Sequence, residues 1–431
     1  MKKLIVNGNT QLRGTIDISG AKNASLPILM STILFKKPVV LSNVPNVMDI
    51  RTSMMLLENL GATIEKIDKN EYKIDCSTIS SFMAPYEIVK QMRASFLVLG
   101  SLLGRFGKAK VSLPGGCSIG PRPVDIHINA IKQMGVEITM ENGYVNAFCN
   151  TNWKLQGADI SLRFPSVGAT QNIIMAGVLA NGRTKIHNYA KEPEVIDLIN
   201  FLNKAGAKIS GIGTDTLIID GVEELNSVEY SIMGDRIEAG TYMIGALMTN
   251  GDLTLNGLDF YANLASLIEL LKEIGAEIEL ISNDTIRIKR GNKKLKPINI
   301  QTAVYPGFPT DLQAQMVSLL SMIDGESIVD ETIFENIFMH VAELNRMGAN
   351  IEVGADNKAF IHGKECCFQG ANVMATDLRG GIALILAGLT AKEGQTILDR
   401  YYHVDRGYED LVEKLTNCGA NLFLINDENG D

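Results

Sequence analysis

Leu60-Gly61-Ala62-Thr63-Ile64 ends one periodic segment and starts another, and the same join returns five times. It reads Met134-Gly135-Val136-Glu137-Ile138, then Ala205-Gly206-Ala207-Lys208-Ile209, then Ile274-Gly275-Ala276-Glu277-Ile278. Met347-Gly348-Ala349-Asn350-Ile351 and Cys418-Gly419-Ala420-Asn421-Leu422 complete the series. The glycines fall at 61, 135, 206, 275, 348 and 419, a spacing of about 70 residues. Each join has one physical reading. Apolar residues at helical spacing run up to a glycine that caps the helix, and apolar residues at alternate positions follow as a strand.

A second element recurs in phase. Segments 24–34, 93–103, 168–179, 240–248, 311–322 and 377–389 are apolar around most of a helical circumference, which predicts helices buried on nearly all sides. Strand-like runs such as 39–44 and 253–258 precede the amphipathic helices. Six such units fit neither a solenoid of short repeats nor a single eight-stranded barrel. Two α/β domains of three units each are the economical arrangement. The first lobe is expected over 21–232 and the second over 1–20 and 233–431, with the first few residues lending the sixth unit its missing strand. A cleft between two similar lobes is the expected ligand site.

Composition narrows the class. A chain of 431 residues exceeds one ordinary core, and 46% hydrophobic with 21% charged residues is a globular balance. A net charge of −9 argues against nucleic acid as a partner. The apolar run after Met1-Lys2-Lys3 is too short for a signal peptide, and no run approaches a membrane span, so a cytoplasmic protein without a membrane partner is expected. The six cysteines and five histidines show neither metal-ligand nor disulfide spacing, and neither a P-loop nor a dinucleotide-binding glycine motif is present. No metal and no cofactor are expected.

Chemistry concentrates in Leu113-Pro114-Gly115-Gly116-Cys117-Ser118-Ile119-Gly120-Pro121-Arg122-Pro123-Val124-Asp125-Ile126-His127-Ile128. Its glycines and prolines impose a loop, and Arg122 places Cys117 in a positive field that favours thiolate. Other charges gather where buried helices start: Lys22-Asn23, Arg93, Asp311, and Asp377-Leu378-Arg379. Arg406 stands at a further strand-to-helix junction. Helix N-termini bind anions, and cations beside them make strong anion pockets in an otherwise acidic protein.

Taken together, Gly20-Ala21-Lys22-Asn23-Ala24, the Cys117 loop, Tyr305-Pro306-Gly307-Phe308-Pro309-Thr310-Asp311-Leu312-Gln313, Asp377-Leu378-Arg379 and His403-Val404-Asp405-Arg406-Gly407-Tyr408 resemble the UDP-N-acetylglucosamine 1-carboxyvinyltransferases. These enolpyruvyl transferases act in peptidoglycan synthesis, and hence in cell-wall biogenesis, cell shape and division. The resemblance spans essentially the whole chain. It implies a fold of two inside-out α/β domains, each of three similar units. It also implies two small-molecule substrates, phosphoenolpyruvate and UDP-N-acetylglucosamine.

What the resemblance implies for single residues follows motif by motif. Lys22, Arg122 and Arg406 would hold the phosphate of phosphoenolpyruvate, with Asn23 beside Lys22 and Arg379 facing the carboxylate. Cys117 would protonate C3 and would be the thiol alkylated by fosfomycin. Asp311 would accept the sugar hydroxyl proton. Arg93, Arg122, Pro123, Val124, Asp125, Ile126, Ser166, Val167, Gly168 and Ile333 would line the UDP-sugar site, with Asp311 at its reacting end. Two positions depart from the pattern. Ile337 stands where the family usually has an arginine on the carboxylate, and Phe164 replaces a basic residue of some members. Two other readings stand beside this one, the second of them motivated by Ile337. One is a transferase acting on shikimate 3-phosphate, the close relative in the superfamily. The other is a low-activity paralogue kept for binding the UDP-sugar.

Overall fold

The computed structural model describes residues 2–90, 92, 96–113, 124–150 and 152–426. Arg93, Cys117, Arg122 and Pro123 lie outside the described residues. The chain forms two compact units, one of residues 2–19 and 234–426, the other of residues 20–113 and 124–233.

All six glycines of the repeated join take positive φ, from 81° at Gly135 to 126° at Gly275. A side chain there would be strained, so glycine ends the helix and releases the chain into a strand. Met48–Leu60 turns at Gly61 into Thr63–Asp68, and Phe260–Ile274 turns at Gly275 into Glu277–Ser282.

In the unit of residues 20–233, every repeat contributes one four-stranded sheet with the same order. Met83–Ala84 runs parallel to Lys108–Ser112, which pairs antiparallel with Tyr144–Cys149, and Val136–Glu141 closes the edge. Asp159–Ser161, Arg183–His187, Thr216–Asp220 and Lys208–Ser210 repeat this pattern. In the third sheet the parallel strand, Glu229–Ser231, arrives from the far end of the unit to pair with Val39–Ser42. The helices Lys22–Ser31, Val98–Phe106 and Val167–Gly177 are buried over most of their length.

The other unit has the same plan with its sequence order rotated. Arg13–Asp17 is the parallel partner of Asp252–Asn256. Lys2–Asn7 sits between Gln395–Asp399 and Leu422–Asn426, with Ile5 opposite Ile397 and Phe423. Every residue of Arg236–Met248 and Gln313–Ser321 is buried, as is most of Leu378–Thr390. The sheets turn one face outward: in Asp252–Asn256 only Leu253 and Leu255 are buried. Helices inside and sheets outside make this an inside-out α/β fold.

Two helix starts differ from the sequence expectation, and a third falls partly outside the described residues. The helix expected from Arg93 is described as α-helix from Val98, residues 93–95 lying outside the described residues. There Asn172 stands in the helical ladder, its Nδ2 donating to the Phe96 carbonyl (3.2 Å) and its Oδ1 accepting from Gly100 N–H (2.8 Å). It takes the place of the bond that would join Phe96 and Gly100. The helix expected from Gly240 opens at Arg236, because Asp235 caps it by accepting from the Ile237 and Glu238 amides (2.9 and 3.0 Å). The helix expected from Asp311 begins as the 3-10 turn Thr310–Leu312 before Gln313–Ser321.

Candidate active site

In the unit of residues 20–233, Lys22 is the first residue of Lys22–Ser31, and no side chain caps that helix at Ala21. Its Nζ lies 3.4 Å from Asp49 Oδ2, and the two side chains are only 12% and 5% exposed. Asp49 offsets the cost of burying the ammonium, and the helix dipole adds a second attraction for an anion at the same end. Asn23 follows on the same first turn.

The segment 124–126 leads into Asp125–Lys132, with Ile126 buried and Asp125 paired to Arg163 at 2.7 Å. Ser166 caps Val167–Gly177, its Oγ accepting from Ala169 N–H at 3.3 Å. A Cβ on Gly168 would sit 3.0 Å from His127 Cε1 and 3.3 Å from Nε2, so glycine lets the helix start and the ring approach. Thus the structure brings Gly168 against the helix that carries Asp125 and Ile126. Burial pushes His127 down to about 4, leaving a neutral imidazole. Asn172 fixes its tautomer. The amide oxygen accepts from Gly100, so Nδ2 donates to His127 Nδ1 (2.8 Å) and the ring proton resides on Nε2.

In the other unit, Asp311 and Arg379 meet although 68 residues separate them: Arg379 Nη2 donates to Asp311 Oδ2 at 3.2 Å. Asp311 comes from the 3-10 turn ahead of Gln313–Ser321, and Arg379 from the first turn of Leu378–Thr390. Asp377 caps the latter helix, accepting from the Arg379 and Gly380 amides (2.8 and 2.9 Å). Burial works against the charged guanidinium, but Asp311 and Tyr408 beside it outweigh that, and its pKa is raised.

Glu331 holds the adjoining turn. Its buried carboxylate accepts from Thr302 Oγ1 and Thr310 Oγ1 (both 2.9 Å) and from the Ile333 amide (2.8 Å). It therefore fixes Thr310, the neighbour of Asp311, and Ile333 together. Ile337 is half-buried, and Arg406 lies in the turns between Tyr401–His403 and Leu411–Asn417.

Each unit thus carries a largely buried cation paired with a carboxylate, a pairing suited to binding an anion. The family model described as EPSP synthase (3-phosphoshikimate 1-carboxyvinyltransferase) matches residues 6–415. A protein of Hydrogenovibrio crunogenus named UDP-N-acetylglucosamine 1-carboxyvinyltransferase is 51% identical over 99% of this chain and 100% of its own. One of the same name from Coxiella burnetii is 50% identical, over 99% of this chain and 96% of its own. The chain belongs to the UDP-N-acetylglucosamine 1-carboxyvinyltransferase family. Solved structures agree on the fold. The enolpyruvyl transferase NikO of Streptomyces tendae superposes with a TM-score of 0.89 at 23% identity, each chain covered to 98%. EPSP synthase of Acinetobacter baumannii superposes with a TM-score of 0.75 at 18% identity, covering 99% of this chain and 100% of its own.

Sequence reasoning missed Asp49, Glu331, Thr241, Gln315 and Tyr408. Two carried a signal. Gln315 is one helical turn beyond Asp311, and Tyr408 ends the motif that contains Arg406. Asp49 and Glu331 had none, because their partners lie 27 and 21–29 residues away in sequence.

Proposed function

We propose that this chain is the transferase that moves the enolpyruvyl group of phosphoenolpyruvate to the 3-hydroxyl of UDP-N-acetylglucosamine, the first committed step of peptidoglycan synthesis, in the cytoplasm. The reading rests on full-length relatives of that name at about half identity. The Asp311–Arg379 pair, with its guanidinium side chain only 14% exposed, supports it from the geometry.

The sugar oxygen adds to C2 of phosphoenolpyruvate while its proton passes to Asp311. The Cys117 thiol gives a proton to C3, forming a tetrahedral ketal. The C2–O bond to phosphate then breaks as a C3 proton leaves, giving the enol ether and free phosphate. Lys22, Arg122 and Arg406, with Asn23, hold the phosphate, and Arg379 faces the carboxylate. Arg93, Arg122, Pro123, Val124, Asp125, Ile126, Ser166, Val167, Gly168 and Ile333 receive the UDP-sugar. Preorganised cations act on charge that grows on the departing phosphate, the kind of term that dominates many enzymatic rate gains. Cys117 as the C3 acid makes it the thiol that fosfomycin alkylates.

Phosphate release tests this. Release from phosphoenolpyruvate with UDP-N-acetylglucosamine, and none with shikimate 3-phosphate, is expected. Cys117→Ser should lower the rate on the order of 10²-fold or more. Release with shikimate 3-phosphate alone would overturn the acceptor, and wild-type turnover by Cys117→Ser would remove that thiol from the reaction.

A further inference from the structure

Behind Arg379 lies a set of buried hydroxyls and an amide whose hydrogen-bond directions can be worked out. The Tyr408 hydroxyl is 2.8 Å from Thr241 Oγ1, 3.3 Å from Arg379 Nη1 and 3.4 Å from Gln315 Nε2. A guanidinium and an amide nitrogen can only donate, so neither can take the phenolic proton. Thr241 Oγ1 is the one acceptor among these neighbours. The threonine is free to accept because its own proton goes to the Ile237 carbonyl at 2.8 Å. Gln315 cannot be turned around, since Nε2 also donates to the Asp311 carbonyl at 3.0 Å. Tyr408 therefore must point its proton at Thr241 and its lone pairs at Arg379.

The guanidinium thus rests on two fixed acceptors, Asp311 on Nη2 and Tyr408 on Nη1. Two anchors on a planar fork set the plane in which its remaining N–H groups point. Asp311 alone would leave it free to rotate about one bond. Tyr408 is 2% exposed, and Thr241 and Gln315 are fully buried, so water cannot replace the second anchor.

We infer that Tyr408 is a positioning residue whose hydroxyl, oriented by Thr241 and Gln315, aims Arg379 at the carboxylate of phosphoenolpyruvate. This rests on the carboxylate role given to Arg379 above. With Ile337 in place of a second guanidinium, the aim of Arg379 carries more of the carboxylate binding here than it does where two arginines share it.

The test compares Tyr408→Phe, which keeps the ring and removes the hydroxyl, with wild type. KM for phosphoenolpyruvate should rise about tenfold, with KM for UDP-N-acetylglucosamine unmoved. Thr241→Val should shift the same constant in the same direction, and Thr241→Ser should restore it. A purely structural role would lower thermal stability and disturb both substrates alike, or neither. That result, or an unchanged phosphoenolpyruvate constant in a folded Tyr408→Phe, overturns the inference. The proposed reaction fails separately, if wild type releases no phosphate with any acceptor. Calorimetric binding of phosphoenolpyruvate then takes the place of KM: about tenfold weaker binding to Tyr408→Phe supports the aiming role, and equal or absent binding overturns it.

Discussion

The two units share one plan of three sheets around buried helices, yet they seat their cations differently. In the unit of residues 20–233, Lys22 opens a helix whose N-cap residue, Ala21, provides no capping side chain, and Asp49 is its paired carboxylate. In the other, Arg379 starts a helix whose first amides are already taken by Asp377, and the guanidinium is held by both Asp311 and Tyr408. An uncapped start leaves the helix dipole acting on a ligand. A capped start spends it on the protein's own carboxylate, so selectivity there must come from the aim of the side chain. On the roles proposed above, one helix start leaves its dipole for a phosphate and the other relies on an aimed guanidinium for a planar carboxylate.

The largest expected effect breaks the more elaborate of the two arrangements. Asp311→Ala removes both the proposed base and an anchor of Arg379. Turnover in the phosphate-release assay should fall on the order of 10³-fold, and melting temperature should drop because a buried guanidinium loses its counter-charge. Asp311→Asn keeps a hydrogen-bonding partner for Arg379, so it should regain stability without regaining turnover. Recovery of turnover by Asn would remove the base role and leave only the anchoring one.

A smaller effect sharpens the comparison by adding to the aimed end. Ile337 is half-buried in the unit that holds Arg379, at the position where the resemblance implies an arginine. Ile337→Arg should lower KM for phosphoenolpyruvate about tenfold, the worth of one charge-assisted hydrogen bond. An unchanged constant, with the variant folded, would mean that the carboxylate does not lie on that side of Arg379.

The difference between the ends also explains what was readable in the chain. The joins from Leu60-Gly61 to Cys418-Gly419 were legible because a left-handed glycine and a change of apolar period are local properties. So was a sixth unit short of one strand, which Lys2–Asn7 supplies. Lys22 and Arg379 stood out because each sits beside a helix start. What holds them did not. Asp49, Tyr408 and Thr241 acquire meaning only through side-chain contacts across 27, 29 and 167 residues, and no periodicity encodes those.

The smallest effect concerns stability, and it treats the units as a matched pair. Each buries a neutral imidazole, His127 in one and His340 in the other, and burial pushes both from 6.5 down to about 4. Below pH 6.5 the unfolded chain takes up a proton that the folded chain refuses. Each histidine therefore contributes stability that is present above pH 6.5 and lost as pH falls towards 4. Asp197, which burial raises from 3.8 to about 6, acts in the opposite sense over an overlapping range. Comparing variant with parent at each pH cancels it. His340→Gln should cost more stability at pH 7.5 than at pH 5, the difference being about 2 kcal/mol for the 1.5 pH units below 6.5. His127→Gln should do the same from the other unit. Where calorimetry resolves two transitions, each variant should move only the transition of its own unit. A deficit independent of pH would show that the buried imidazoles are not the groups that weaken the fold in mild acid.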